Sequence, residues 1–309
     1  MLKIFGHGIK KYSVVLRCII CTALISSVIF GCGCSGNGNG NNVSDTSPTA
    51  DGSSQNKETE LPEATDVPAA SGFELHFIDV GQGDCMLLIA DGEAMLIDSG
   101  NVGLGDPVVK YMKEHGVTKL KYLLLTHGHA DHVGGMPEVM EAFDFETLFI
   151  FEAPCTEEPW KKFMSIIETE KIEFVTPSIG DVFELGKGKF TVLGPVKLDS
   201  SNLNNNSIAI KYVYGNRSFL LCGDAQSAEE HDILKCGIDI SADVWKANHH
   251  GSSAGCTRKF VEAVGAKYIV VQVGEGNQYG YPAAATIKRL ENTGATVYRN
   301  DFNGTVVVK

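Results

Sequence analysis

Short apolar runs bounded by glycine and polar residues recur along the chain from residue 73 onward. Runs of about four to eight apolar or β-branched residues predict buried strands, and longer stretches with helical spacing of apolar residues predict amphipathic helices. In the first half of this region the predicted strands cover residues 74–80, 85–90, 94–98, 122–126, 147–151, 172–175 and 189–193. The predicted helices there cover residues 106–115, 134–142 and 157–170.

The second half repeats this alternation. Its predicted strands cover residues 208–214, 218–222, 242–247 and 268–273, with two closing strands after residue 293. Its predicted helices cover residues 228–236, 257–264 and 283–293. Strand pairs that alternate with single helices predict an α/β domain with two mixed sheets face to face and helices outside, a four-layered αββα sandwich.

The first 31 residues have the pattern of a lipoprotein signal peptide. Basic residues from Lys3 to Arg17 precede a 13-residue, mainly apolar run over residues 18–30, which is short for a membrane span. The run ends in Gly31 and Cys32, which resembles a bacterial lipobox and makes Cys32 the predicted lipid anchor. Cys34 is a weaker candidate, and an uncleaved signal anchor is the alternative. Acylation would hold the protein at the bacterial cell membrane, with its domain outside the cytoplasm.

Residues 32–72 predict a disordered tether. Gly, Asn, Ser, Thr, Pro and acidic residues dominate this stretch, and it offers too little apolar surface to offset the entropy of ordering. Residues 73–309 remain, and these 237 residues are enough for one domain with a sizeable core. The chain carries a net charge of −12 without an arginine cluster, which weakens the case for long nucleic acid as a substrate.

Residues 123–132, Leu-Leu-Leu-Thr-His-Gly-His-Ala-Asp-His, place three histidines and an aspartate directly after an apolar strand. Alternate side chains of a strand share a face, so His127 and His129 are expected on one side, with Asp131 and His132 after the turn. Imidazole and carboxylate suit divalent ions such as zinc or manganese. None of the cysteines after the signal forms a Cys-x-x-Cys pair, which argues against a closed thiolate site. The loop therefore predicts a catalytic metal site, and a histidine-rich surface turn is the alternative.

Further motifs follow in order along the domain. They read FIDVGQGD at residues 77–84, LIDSG at 96–100, NNS at 205–207, LCGD at 221–224, NHHGS at 248–252 and YGYP at 279–282. Together with the histidine-rich loop, this series resembles the metallo-β-lactamase superfamily, and within it the soluble hydrolase domain of ComEC-type competence proteins. The resemblance covers nearly all of residues 73–309 and implies a metallo-β-lactamase sandwich.

The resemblance also implies two divalent metal ions bound by six side chains. They are His127 and His129 for the first ion, Asp131, His132 and His249 for the second, and Asp224 as the bridge between them. Asp224 and His249 each follow an apolar run, which agrees with ligands at strand ends. His249 is favoured over His250 because it comes first after its strand, and His250 is left to contact the substrate or to support the ligands.

Other polar residues are expected around the ligands. Asp98 corresponds to a family carboxylate that orients the metal loop through hydrogen bonds. Asp79 and Asp84 flank a glycine-rich loop, and either they support the ligands or they stabilise the turn. Asn206 and Tyr281 are candidates for substrate contact or ligand support.

Two departures from the family pattern affect the expected chemistry. Asn205 and Asn206 stand where the wider superfamily has a third histidine for the first metal, so occupancy of that position is in question. Tyr281 stands where the ComEC-like branch has a histidine, and a phenol does not exchange protons near neutral pH as imidazole does.

The leading hypothesis is a lipid-anchored, metal-dependent phosphodiesterase or nuclease, with Asp131 as its catalytic residue. Two divalent ions would activate water and polarise a phosphodiester of nucleic acid, a nucleotide or an envelope polymer. Ester, lactone or amide hydrolysis on the same centre is the second hypothesis, since a fold does not fix the substrate. A non-catalytic metal-binding lipoprotein is the third.

Cys32→Ala is expected to release the protein from membranes, because the preceding apolar run is short and the tether has no apolar segment to insert. Membrane fractionation and labelling with a fatty-acid analogue measure this effect. Cys34→Ala is the matched control and should stay acylated and bound. Retention of full-length Cys32→Ala in the membrane fraction would favour the uncleaved signal anchor.

Overall fold

Two β-sheets lie face to face in the part of the chain that the structure describes, residues 57–62 and 72–309 of a computed structural model. The predicted signal peptide 1–31, Cys32 and most of the predicted tether lie outside these residues. Within the described ranges, no helix is long and apolar enough to cross a membrane.

The strands and helices have the following bounds. The strands are β1 (Glu58–Glu60), β2 (Phe73–Phe77), β3 (Met86–Ala90), β4 (Glu93–Ile97), β5 (Leu120–Leu125), β6 (Phe145–Ile150), β7 (Phe174–Val175), β8 (Val182–Leu185), β9 (Gly188–Gly194), β10 (Ala209–Tyr214), β11 (Arg217–Leu221), β12 (Val244–Lys246), β13 (Tyr268–Val271), β14 (Thr296–Arg299) and β15 (Thr305–Val308). The α-helices are α1 (Gly105–Glu114), α2 (Ala130–Val133), α3 (Met136–Ala142), α4 (Glu158–Glu170), α5 (Ser227–Lys235), α6 (Arg258–Val264), α7 (Ala284–Glu291) and α8 (Asn300–Asn303). Short 3-10 helices cover Leu203–Asn206 and Asn248–Gly251.

Each sheet combines antiparallel pairs with a parallel segment. The first has the strand order β1-β15-β2-β3-β4-β5-β6-β7, and β4, β5, β6 and β7 run parallel. The second has the order β14-β13-β12-β11-β10-β9-β8, and β11, β12, β13 and β14 run parallel. The carboxyl ends of the parallel strands are thus available in both sheets for loops that carry function.

The main core lies between the two sheets. Phe73 and Phe77 from β2 belong to the same buried cluster as Tyr212 from β10 and Phe219 from β11. The rings of Phe73 and Phe219 lie 4.9 Å apart between centroids. Since side chains alternate along a strand, the outer faces of both sheets also carry apolar side chains that must be shielded from water.

Helices cover those outer faces. On α4, the buried residues Trp160, Phe163 and Ile167 recur at helical spacing and pack in one cluster with Leu123 of β5. On the second sheet, Phe260 of α6 belongs to a cluster with Trp245 of β12. The predicted αββα sandwich is confirmed.

Several local predictions differ from the structure. Glu58–Glu60 lies inside the predicted tether but forms a parallel pair with β15, because backbone hydrogen bonds and the buried Leu61 suffice to add an edge strand. The helix predicted over 134–142 begins only at Met136, as α3, and the short helix α2 before it was not predicted. Gly134 and Gly135 separate the two helices, and both pack against backbone atoms. Val182–Leu185 and Asn300–Asn303 were not predicted, and both elements are only four residues long.

Candidate metal centre

The candidate site forms where the parallel strands of both sheets end. Asp98 follows β4 and His127 follows β5 in the first sheet, while Asp224 follows β11 and His250 follows β12 in the second. Ligands of open α/β sheets bind at carboxyl ends of strands. The side chains that the sequence singled out therefore lie at the same edge of the two sheets.

Asp224 is the residue on which the candidate ligands converge. Its Oδ2 atom lies 3.3 Å from Nε2 of His132 and 3.3 Å from Nε2 of His250. Asp131 joins them, because its Oδ2 lies 3.3 Å from Nε2 of His250 and its Oδ1 lies 3.8 Å from Nε2 of His132. Ligand atoms about 2.1 Å from one ion lie roughly 3.0–3.4 Å apart in octahedral or tetrahedral geometry. The three distances of 3.3 Å match this spacing, and Asp131, His132 and His250 form one group of three that could hold an ion.

The chemistry of the cluster also fits a divalent cation. Nε2 of His132 and Nε2 of His250 are buried and have no hydrogen-bond partner among the described residues. Leaving a buried polar atom unpaired costs about 1–3 kcal/mol, so these lone pairs need an electrophile. Imidazole and carboxylate donors suit zinc, manganese and similar ions.

Asp98 holds His132 in the orientation that a ligand needs. Nδ1 of His132 lies 2.8 Å from Oδ2 of Asp98, which directs Nε2 towards Asp224. Asp98 itself accepts hydrogen bonds from the backbone nitrogen of Thr126 at 2.8 Å and from its hydroxyl at 2.7 Å. This is the orienting contact expected of Asp98, and such contacts fix the tautomer of a ligating histidine.

Buried carboxylates dominate the electrostatics of the centre. Burial opposes protonation of His132 and His250, but Asp224 and its neighbouring carboxylates outweigh burial and raise the pKa of both imidazoles well above the usual range. Burial alone would raise the pKa of Asp224, yet the same histidines bring it well below the ordinary value. A cluster that attracts protons this strongly also attracts metal ions, and the two compete because ligating histidines must be neutral.

The glycine-rich loop contacts the metal loop directly. A Cβ on Gly83, whose φ is +139°, would lie 2.3 Å from the carbonyl oxygen of Asp131. The backbone nitrogen of Asp84 donates a 3.1 Å hydrogen bond to that oxygen, and Oδ1 of Asp84 lies 3.3 Å from Nδ1 of His250. Asp84 therefore supports the ligands.

Asp79 is exposed and accepts a 3.0 Å hydrogen bond from the backbone nitrogen of Gly81, so it stabilises the turn.

The geometry favours His250 over His249 as the ligand, contrary to the sequence prediction. His250 belongs to groups of three side chains that could hold a metal ion, whereas His249 belongs to none among the described residues. Nε2 of His249 lies 3.7 Å from Oδ2 of Asp224, and its Nδ1 lies 2.9 Å from Oγ of Ser252. The prediction chose His249 because it comes first after the strand, but both histidines have left-handed φ values, 49° and 52°, so order along the chain does not decide which side chain faces Asp224. Such conformations cost of order 1–3 kcal/mol each and cluster at functional sites.

His127 and His129 lie together on the other side of Asp224. Nε2 of His127 lies 4.0 Å from Oδ2 of Asp224 and 2.9 Å from Nδ1 of His129. His127 forms a potential metal group with His132 and Asp224, and His129 is in no such group within residues 57–62 and 72–309. The role of His129 as a ligand stays a prediction.

The asparagines occupy different positions from those expected. Asn206 donates to the carbonyl oxygens of Asp199 and Asn202 and so holds its own loop rather than the site. Asn205 donates a 2.8 Å hydrogen bond to Oδ2 of Asp199. Asn204, which the sequence analysis did not single out, lies 3.4 Å from Nε2 of His249 through its Nδ2. The triplet of asparagines gave no sign of which one faces the site.

A cavity of about 270 Å³ opens beside the cluster. Asp131, Asp224 and His250 form part of its lining, together with Tyr279 and Tyr281. The ring of Tyr281 stacks over His250 with 6.5 Å between centroids, and Tyr279 stacks on Tyr281 at 5.6 Å. Tyr281 therefore lines the cavity beside the cluster, and its contact with substrate stays a prediction.

Lys246 is the charged residue that sequence reasoning missed. It is fully buried on β12, and its Nζ forms an ion pair with Asp84 and lies 3.6 Å from Oδ1 of Asp224. A signal was present, because a lysine inside an apolar strand is almost never buried without an anionic partner.

A four-layered αββα sandwich with a histidine and aspartate centre at the strand ends defines a metallo-β-lactamase-type protein. The sequence matches the Metallo-beta-lactamase superfamily over residues 78–274, more than half of the chain, and the protein belongs to that superfamily. The family assignment and the converging ligand groups identify it as a metal-dependent hydrolase that uses divalent ions.

Within the superfamily the chain is similar to competence proteins, which confirms the resemblance drawn from the motifs. ComE operon protein 3 of Bacillus subtilis (strain 168) is 28% identical over 255 residues, which cover 77% of this chain and 33% of that protein. Competence protein ComA of Neisseria gonorrhoeae is 26% identical over 236 residues, 73% of this chain and 30% of that protein. The chain spans about a third of the length of these relatives.

Solved structures agree with the fold. Igni18, a metallo hydrolase from Ignicoccus hospitalis, superposes with a TM-score of 0.51 at 15% identity, covering 76% of this chain and 99% of that one. The metallo-beta-lactamase fold protein YhfI from Bacillus subtilis gives a TM-score of 0.50 at 13% identity, covering 76% and 98%. At these identities the likeness concerns the fold alone.

The purified full-length protein is expected to bind about one to two divalent ions, and Asp131→Ala to lose at least about half of that metal, because it removes a ligand without touching the core. Elemental analysis after reconstitution with zinc or manganese measures the content. Asp144→Ala, which alters an exposed carboxylate outside the centre, is the control. Less than about a tenth of an ion per wild-type chain would contradict the metal centre.

Proposed function

We propose that the protein is a lipid-anchored, extracytoplasmic phosphodiesterase or nuclease with a dinuclear zinc or manganese centre. The observation that carries the proposal is the convergence of Asp131, His132, His250 and Asp224 beside an open cavity. The anchor at Cys32 lies outside the described residues, and the signal pattern alone supports it.

The ligand set supports hydrolytic chemistry. Divalent ions bound here would activate a water molecule as nucleophile and polarise the phosphoryl group. Asp98 keeps His132 in its ligating tautomer, so the site is ordered before substrate arrives. The absence of cysteine from the metal loop favours zinc or manganese with coordination positions open to substrate.

The cavity supports a substrate that carries nucleobases. Tyr279 is 56% exposed, and its ring is stacked within 19° of parallel to Tyr281, so the outer face of the stack is accessible. Aromatic side chains of this kind stack bases at about 1–3 kcal/mol per base without reading sequence. The names of the relatives refer to competence, in keeping with nucleic acid as the substrate class. The net charge of −12 favours short or single-stranded substrates over long duplexes.

Membrane attachment would place this activity at the cell surface. A tether between the anchor and β1 would let the domain reach substrates near the envelope. Envelope phosphodiester polymers are therefore the alternative substrate, and the same assays distinguish them.

The proposed activity is tested with bis(para-nitrophenyl) phosphate, oligonucleotides and an envelope phosphodiester polymer under saturating zinc or manganese. Wild-type protein is expected to turn over the first two, and Asp131→Ala to lose roughly 10²-fold or more in kcat/KM, because the loss of a ligand disturbs the metal more than the loss of a supporting contact. Asp144→Ala should retain wild-type rates. Metal binding without phosphodiester turnover would point to an ester, lactone or amide hydrolase or to a non-catalytic metal-binding lipoprotein.

Tyr281→His is expected to raise phosphodiesterase kcat/KM by up to about 10²-fold, because imidazole can donate a proton to the leaving oxygen near neutral pH. Its ring position beside His249 and His250 places the new imidazole at the site. Rates between pH 6 and 9 are compared under saturating metal. Tyr281→Phe, which keeps an aromatic ring without adding an imidazole, is the control. Rates unchanged or lower across that range would show that the tyrosine serves another substrate.

A further inference from the structure

Lys246 is a buried cation held between carboxylates of the metal centre. Its side chain is 0% exposed, and it lies on β12 between β11 and β13. Nζ forms an ion pair with Oδ2 of Asp84, donates a 2.9 Å hydrogen bond to the carbonyl oxygen of Gly223, and lies 3.6 Å from Oδ1 of Asp224. The ion pair with Asp84 and the hydrogen bond to Gly223 hold the ammonium, and Oδ1 of Asp224 attracts it from beyond hydrogen-bond distance.

This ammonium stands where a metal ion could otherwise bind. Asp84, Asp224 and His250 present ligand atoms that lie within 4.8 Å of one another, a spacing compatible with a bound ion. Lys246 contacts both carboxylates of that group. A divalent ion at the same place would meet the ammonium charge at close range and without solvent to screen it. Lys246 therefore fills this cation position.

The two oxygens of Asp224 consequently face different partners. Oδ2 lies 3.3 Å from both His132 and His250 and 4.0 Å from His127. Oδ1 points to Lys246. A carboxylate that bridges two metals through separate oxygens needs both of them, and here only Oδ2 faces the histidines.

The total charge bears on both ions alike. Asp84, Asp98, Asp131 and Asp224 carry four negative charges, and Lys246 reduces the total to −3. With neutral histidines, a first divalent ion brings the centre to −1 and a second brings it to +1. Without the lysine the corresponding totals are −4, −2 and 0. The lysine charge therefore weakens the attraction for each ion, and the difference between the two ions rests on the engagement of Oδ1 of Asp224.

We propose that Lys246 is a positioning residue that makes metal binding unequal, with one ion held tightly by Asp131, His132, His250 and Oδ2 of Asp224 and a second held weakly on the His127 and His129 side. The inference rests on the metal centre of the proposed function and not on its substrate. It is therefore tested by metal binding alone.

The experiment titrates zinc or manganese into metal-free, detergent-solubilised full-length protein in competition with a chromogenic chelator. Wild-type protein is expected to bind the second ion about 100-fold more weakly than the first, at the upper part of the range for coupling between sites. Lys246→Met should narrow this ratio to about tenfold or less, because it frees Oδ1 of Asp224 for the second ion. Lys267→Met, whose side chain is 69% exposed, should leave the ratio unchanged.

A second variant covers the case in which Lys246→Met fails to fold, since it leaves Asp84 buried without a partner. The double variant Asp84→Asn, Lys246→Met removes both charges and keeps the total at −3. A narrower ratio between the two metal affinities in this variant is therefore due to the freed Oδ1 of Asp224. Two ions of equal affinity in wild-type protein, or an unchanged ratio in every folded variant at position 246, would overturn the inference. Unequal binding without phosphodiester turnover would contradict only the proposed function.

Discussion

Repulsion among buried carboxylates is the constraint on which the centre depends. Asp84, Asp98 and Asp224 are at most 2% exposed, and Asp131 faces the same space. Bringing such charges out of water is costly unless cations or donors compensate them. Each has its own compensation in the structure: Lys246 for Asp84, the hydrogen bonds of Thr126 for Asp98, and imidazoles for the other two. The arrangement of these carboxylates therefore favours cation binding independently of any catalysis.

The close approach of loops from the two sheets creates this concentration of charge. Gly223 has a φ of +51°, and a Cβ there would lie 2.9 Å from Cβ of Thr126, so the loop after β11 fits directly against the loop after β5. Gly83 makes a similar approach to Asp131. Larger residues at either position would separate the carboxylates and reduce the local demand for a cation. Glycine at these contacts is thus tied to metal affinity as well as to the turn itself.

The sequence was informative wherever a polar residue follows a long apolar strand. His127, Asp98 and Asp224 obey that rule, and with the alternation of strands and helices they predicted the sandwich and the strand ends at which the candidate centre lies. It was less informative where the local chain departs from regular geometry. The consecutive left-handed residues after Asn248 reversed the choice between His249 and His250. Strand alternation carries no information about such a turn, because the side-chain directions there follow from φ values of 49° and 52°.

A second feature besides Lys246 makes the two sides of Asp224 unequal in their metal ligands. Asn205 and Asn206 are both engaged by Asp199 and its loop, so neither reaches the side of Asp224 on which His127 and His129 lie. A metal on that side would depend on two histidines and a shared carboxylate oxygen, whereas the opposite side offers two histidines, Asp131 and that oxygen. Fewer protein ligands leave more coordination positions for water or a phosphoryl oxygen. The weakly held side is thus the one suited to exchange with substrate, and the tightly held side keeps the loops of both sheets together.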